Sequence, residues 1–324
     1  MLTAEIMERY GLKKDWRSVG FYETENHRQI GRAVRFGLGD GRLIAITGPI
    51  GIGKTSFLHR LQDEIAREKK VIVAESLSVD KSRTTVPTLI SALFYDLSRE
   101  KEPKIPTQGE KRERELQKLV ARGSKPVALF VDEAHDLHSK TLNGLKRLME
   151  VIARGGGKLS VVLVGHPKLR NDLRRPTMEE IGNRTDVLPF EGIGEDTRAY
   201  LDWLLKGCTA EETDIDQMIE PAALDLLATR LSTPLQIAEH LSRAFEEGFR
   251  LGERPITTEI VTATLAPDFD ALEPKLTRQG YSVKILADQF NAKPAEIRRF
   301  LSGQLDAGRA HELADEMRAA GIAL

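Results

Sequence analysis

Residues 41–56 read GRLIAITGPIGIGKTS. GRLIAITG is a short apolar run ending in glycine, the pattern of a buried strand. Gly48-Pro49-Ile50-Gly51-Ile52-Gly53-Lys54-Thr55 then fills every position of G-x-x-x-x-G-K-[ST]. The glycines let the loop curl until successive N–H groups point inward at phosphate oxygens. A helix opens near Lys54 and places Phe57, Leu58, Leu61 and Ile65 on one face, so its positive end adds to the same site. Lys54 is expected to reach the β and γ phosphates, Thr55 to ligate Mg²⁺ and Ser56 to complete the cradle. A strand, this loop and a helix in sequence are the context that the motif requires.

Working outward, VIVAES, KPVALFVDE, KLSVVLVGH and DVLPF read as four more short strands. They alternate with helical patterns in TVPTLISALFYDLS, ELQKLVARG and SKTLNGLKRLMEVIARGGG, while REKEPKIPTQGEKRERE reads as a polar surface connection. This order implies an α/β fold with a parallel sheet covered by helices on both faces. From about Asp196 the strand signals stop and four helical stretches follow. The expected division is a nucleotide-binding domain with an N-terminal extension over 1–195, a helical unit over 196–270 and a small helical unit over 271–324, linked near DFDALEP. In the last unit, Val283, Leu286, Ala287 and Phe290 share one face. Asn291 serves a turn, and Pro294 opens a second helix bearing Ile297 and Leu301. That outline fits a helix-turn-helix with Lys293, Arg298 and Arg299 facing phosphates. It fits a protein-contact module equally.

The second half of the site is the strand ending Val131-Asp132-Glu133, about 80 residues beyond the loop. Asp132 is positioned to hold Mg²⁺, and Glu133 to polarise an attacking water as general base. After the fourth strand comes Gly165-His166-Pro167, where His166 can touch the γ-phosphate or its water.

The chain has 324 residues, of which 40% are hydrophobic and 30% charged, an ordinary globular composition. With 48 basic and 49 acidic residues, the net charge of −1 announces no nucleic-acid partner, so any DNA surface must come from local clustering. Cys208 is the sole cysteine, which excludes an intrachain disulfide framework. The N-terminus lacks the apolar core of a secretory signal, and the apolar runs are too short to span a bilayer. A cytoplasmic protein without a membrane partner is the expectation.

The order of parts resembles the AAA+ ATPases. FYETENHRQIGRAVRFGL before the loop, DEAHDL, and VVLVGHPKLRNDLR resemble more narrowly the group containing the ExeA secretion ATPase and the transposition regulators MuB, TnsC and IstB. The resemblance spans roughly residues 15–265 and implies a P-loop AAA+ sheet, a helical lid, and ATP with Mg²⁺ as ligands. It further implies a site shared between subunits of a homo-oligomer, a ring or a filament with about six subunits per turn. Arg184, in IGNRTDVLPF, matches the arginine that would complete the neighbour's site, with Arg174 and Arg175 as rivals. One departure stands out. Where the lid often carries Gly-x-Pro-Arg, this chain has Ser232-Thr233-Pro234-Leu235-Gln236. Gln236 can offer only a neutral hydrogen bond to the nucleotide, which points to slow, assembly-dependent hydrolysis. In the TnsC-like group the loop matching Lys81-Ser82-Arg83-Thr84-Thr85 tracks the DNA backbone; Lys140, Lys146 and Arg147 are weaker candidates. The implied function is an ATP-dependent regulator of transposition that assembles on double-stranded DNA without strong sequence preference, recruits a transposase and disassembles on hydrolysis. The alternatives are an ExeA-like secretion ATPase acting on protein partners and a nucleotide-switched transcription or signalling regulator.

Overall fold

The computed structural model describes residues 2–76, 80–98, 100, 102–210, 213–265 and 271–324. In chain order its elements begin with α1 (Ala4–Tyr10), α2 (Glu25–Leu38), β1 (Leu43–Thr47), α3 (Lys54–Glu68), β2 (Ile72–Glu75) and α4 (Val86–Leu97). Then come α5 (Gly109–Arg122), β3 (Val127–Val131), α6 (Ser139–Arg154), β4 (Leu159–Gly165), α7 (Pro167–Leu173), α8 (Glu179–Gly182) and β5 (Thr185–Pro189). Helices complete the chain: α9 (Thr197–Cys208), α10 (Pro221–Arg230), α11 (Pro234–Leu251), α12 (Thr258–Thr264), α13 (Leu272–Arg278), α14 (Val283–Gln289), α15 (Pro294–Leu301) and α16 (Ala307–Ala319).

All five expected strands form, and they pair in parallel in the order β2-β3-β4-β1-β5. Every residue of β1, β3 and β4 is buried. That is why these strands read as unbroken apolar runs: helices cover both faces of a parallel sheet. α3 buries Phe57, Leu58, Leu61 and Ile65, the face expected from its spacing. The carboxyl ends of β1, β3 and β4 carry Gly48, Asp132 and His166, so the sheet gathers the candidate residues along one edge.

The chain forms two compact units. The α/β unit comprises Asn26–Ile50, Lys54–Phe190 and Leu276–Leu324; the helical unit comprises Met1–Glu25, Gly51–Gly53 and Glu191–Lys275. This grouping differs from the division read in sequence at both termini. Residues 1–25 go with the helical unit because Tyr10 and Trp16 stack edge-on against Phe245 of α11, with ring centroids 4.8 and 5.3 Å away. Residues 276–324 go with the α/β unit, where the buried Tyr281 hydroxyl accepts a hydrogen bond from Asn171 of α7 at 2.7 Å. Neither pairing is visible in local sequence, because each joins residues more than a hundred positions apart.

A second difference is the start of α5. Its first turns, GEKRERE, are charged enough to read as a connection, yet they are helical. Only Leu116 and Val120 of that helix are buried, so a narrow stripe suffices to dock it. The linker expected at DFDALEP begins on residues 268–270, outside the described residues. α14 and α15 do form the expected helix pair, turning at Asn291, whose φ of 48° is left-handed. They bury Leu286, Ala287, Ile297, Phe300 and Leu301. Among the described residues, no helix is long and apolar enough to cross a membrane. Cys208 is buried in the helical core, and burial pushes its thiol up to about 12.

Candidate nucleotide site

The loop after β1 takes the backbone that its glycines were expected to allow. Gly51 and Gly53 sit at φ 77° and 99°, where a Cβ is disfavoured. Lys54 opens α3 and is 6% exposed. Its ammonium donates to the carbonyls of Gly48 and Pro49, both at 2.8 Å. Burial pulls its pKa down to about 8, against the opposing pull of Glu133 and Asp132. A desolvated cation folded onto its own loop, at a helix N-terminus, is a site prepared for an anion.

Thr55, the next residue, donates its hydroxyl to Asp132 Oδ2 at 2.8 Å. The two oxygens come from α3 and the end of β3, on neighbouring parts of the sheet edge. Hydroxyl and carboxylate are hard oxygen donors of the kind that Mg²⁺ takes alongside phosphate and water. These residues therefore fit the ion that the motif implies.

Glu133 follows in a left-handed conformation, φ 51°, which costs a non-glycine residue on the order of 1 kcal/mol. The strained backbone turns the carboxylate toward two histidines. His135 Nδ1 lies 3.3 Å and His166 Nε2 3.7 Å from Glu133 Oε2. The two imidazoles face each other at a tilt of 34°, with centroids 3.6 Å apart. Rings this close cannot both be charged. Burial, reinforced by His135, Lys54 and Lys168, pulls His166 down to about 3, and burial lowers His135 as well. Burial and the neighbouring Asp132 raise Glu133, which strengthens it as a proton acceptor. The structure thus brings Lys54, Thr55, Asp132, Glu133 and His166 together and adds His135, which the motif reading passed over. Its signal was in the sequence, as the last letter of Asp132-Glu133-Ala134-His135.

Other candidates lie elsewhere. Arg184 precedes β5, whose first residue, Thr185, pairs with Leu43 at the amino end of β1. The length of β1, about 13 Å at 3.3 Å per residue, separates it from the phosphate loop. There its Nη1 bonds Glu150 Oε1 at 2.8 Å, with the side chain 61% exposed. Glu150 and Glu180 also pair with Lys146, which is buried. Arg175 is held by Asp172 and Gln289. Gln236 belongs to the helical unit, and its amide oxygen accepts from the N–H groups of Ser232 and Thr233 at 3.1 and 3.2 Å. A capping box at the start of α11 therefore accounts for a glutamine there.

The proposed DNA contacts divide. Lys81 is buried, with its ammonium on the Ser76 carbonyl at 2.7 Å, and Thr84 is 1% exposed. Neither can meet a phosphate backbone as placed, a correction to the reading of the whole loop as one contact surface. Arg83, Lys140, Arg298 and Arg299 are exposed.

Sheet order, loop and carboxylate pair together define the P-loop AAA+ fold. Residues 38–173 match the family described as AAA domain. General secretion pathway protein A of Aeromonas hydrophila is 26% identical over 215 residues, 64% of this chain and 37% of that protein. The chain thus matches little more than a third of its curated relative. Among solved structures, the Aeropyrum pernix ORC2 protein (ADPNP-ADP complexes) superposes with a TM-score of 0.57 at 14% identity, over 96% of this chain and 91% of that one. Drosophila ORC bound to DNA superposes with a TM-score of 0.54 at 16% identity, covering 97% and 83%.

Proposed function

We propose that the chain is a Mg²⁺-dependent ATPase that assembles with ATP into a ring or filament on double-stranded DNA, regulates transposition by recruiting a transposase, and disassembles on hydrolysis. The observation that carries the enzymatic part is the Thr55–Asp132 hydrogen bond with Glu133 beside it. Together they make an ion-binding pair next to a proton acceptor of raised pKa. Thr55 and Asp132 would hold Mg²⁺, which when bound offsets charge on the phosphates. Lys54 gives up the carbonyls of Gly48 and Pro49 to take phosphate oxygens. Glu133 orients the lytic water and accepts its proton, and His166, kept neutral, accepts or donates one hydrogen bond to that water. The phosphate-binding backbone spans Gly48, Pro49, Ile50, Gly51, Ile52, Gly53 and Ser56.

Assembly is supported by the position of Arg184. A strand's length from its own loop, it suits a neighbour's phosphates, and a trans arginine makes hydrolysis depend on contact between subunits. Nucleotide that binds an assembled interface stabilises assembly by mass action. DNA contact is supported by exposed Arg83 and Lys140 and by likeness to a structure described as bound to DNA. The test is filter binding of duplex DNA with ATP, with ADP and with Lys54→Ala. DNA retention only with ATP and intact Lys54 is expected. Equal retention in all three, or none, would refute the DNA-dependent switch.

One observation favours a second reading. The 26% identity to a secretion protein supports an ATPase acting on protein partners, and ATP-dependent assembly without DNA would select it.

A further inference from the structure

The segment Arg278–Tyr281 is tied to the rest of the α/β unit at three points around the nucleotide site. The N–H of Ile50, inside the phosphate loop, donates to the Arg278 carbonyl at 2.8 Å. The N–H of Lys168, two residues past His166, donates to the Gln279 carbonyl at 3.2 Å. Asn171 on α7 donates to the Tyr281 hydroxyl at 2.7 Å. Between these points Gly280 lies close to the Cβ–Nδ1 edge of His166. A Cβ there would come within 2.9 Å of His166 Cβ and 3.0 Å of its Nδ1, and the residue's φ is 93°. Only glycine fits both the backbone and the space. Gln279 ties the same strap to the chain end, its amide donating to the Ala323 carbonyl at 2.7 Å and its oxygen accepting from Ala323 N–H at 3.3 Å.

The strap therefore touches both parts of the site that a γ-phosphate would disturb. A loop N–H bound to a peptide carbonyl is not directed at an anion, and a phosphate drawing on that N–H also repels the carbonyl oxygen. On the other side, His166 has the His135 ring 3.6 Å away between centroids and Gly280 beside its Cβ–Nδ1 edge. Gly280 is thus the residue whose lack of a side chain leaves His166 its place beside the strap.

Resting on the nucleotide-site reading, we infer that Arg278–Tyr281 is a strap competing with bound ATP, so that nucleotide loosens it and frees the C-terminal helices α14–α16 from α7. Arg278, Gly280 and Tyr281 are positioning residues, acting through Ile50 and His166. Coupling between two equilibria is reciprocal: if ATP weakens the strap, weakening the strap must strengthen ATP binding. This separates the proposal from a plain structural role, in which damage to the strap would impair the site.

The experiment uses the full chain with Mg²⁺ and a fluorescent, non-hydrolysable ATP analogue. Tyr281→Phe removes one hydrogen-bond acceptor, while Asn171 keeps its bond to the Gly321 carbonyl at 3.2 Å. It should lower the Kd for the analogue by about two- to tenfold, the worth of one net hydrogen bond. Gly280→Ala should lower it further by forcing the strap off His166. In the unaltered chain, hydrogen exchange at the amide of Lys168 and across 279–323 should speed up when the analogue binds, and not in Lys54→Ala. An unchanged or higher Kd in Tyr281→Phe, or slower exchange on binding, would overturn the strap. Should Gly280→Ala not fold, Tyr281→Phe and the exchange data decide. Binding without any response in 279–323 overturns the strap alone; no nucleotide binding by the unaltered chain overturns the site reading with it.

Discussion

The two ends of the parallel sheet are built in opposite ways. At the carboxyl end, Lys54 is buried, Glu133 is strained and raised, and His135 and His166 face each other with lowered pKa values. At the amino end, Arg184 is mostly exposed and rests on Glu150 beside Arg42 and Asp186, lining an open cleft of about 390 Å³. One end buries its lysine and nearly buries its two histidines, while the Glu133 carboxylate is 48% exposed. The other is wet, where ion pairs contribute little and exchange readily. The difference teaches that the chain carries a half-site built around a buried lysine and, a strand's length away, a lightly held cation. The two serve one reaction only if different copies of the chain supply them.

The contrast can be broken at either end. The largest effect is expected at the carboxyl end, where Glu133→Gln keeps the shape and removes the base. Turnover should fall about 10²–10⁴-fold while nucleotide affinity changes little, as a steady-state ATPase assay paired with a binding titration would show. Loss of binding along with turnover would mean that Glu133 is structural. A smaller effect follows from Lys54. In the free protein its pKa is about 8 because it is buried; phosphate supplies a counter-charge and raises it. Below pH 8 the lysine is charged in both states. Above pH 8 binding must take up a proton, so affinity should fall with rising pH by up to about tenfold per unit. A flat profile from pH 7 to 9.5 would show that Lys54 does not face phosphate. The smallest effect belongs to the helical unit. Gln236→Ala should destabilise the fold by about 1 kcal/mol through its capping box and leave nucleotide affinity unchanged. A loss of affinity larger than the loss of stability would instead return Gln236 to the nucleotide.

How much of this was legible depends on sequence distance. Gly48–Thr55 and Val131–Glu133 are contiguous, and their chemistry needs neighbours in the chain, so the loop, the carboxylates and all five strands could be read directly. Lys81 could not. A lysine in a polar stretch reads as solvated, and only the fold shows it bound to the Ser76 carbonyl. Gly280 reads as one more turn glycine until His166, over a hundred residues earlier, is found against it. Tyr10, Trp16 and Tyr281 carry the unit boundaries through contacts that no local period encodes.

The claim that one reaction is divided between two copies is tested most directly by ATP turnover in a mixture of Lys54→Ala and Arg184→Ala chains. Each variant alone should be nearly inactive, the first for lack of bound nucleotide and the second by about 10³-fold for lack of the trans arginine. Mixed in equal amounts, they should regain a substantial fraction of normal turnover, because an intact loop then meets an intact arginine. A mixture no more active than the sum of its parts would contradict the shared site.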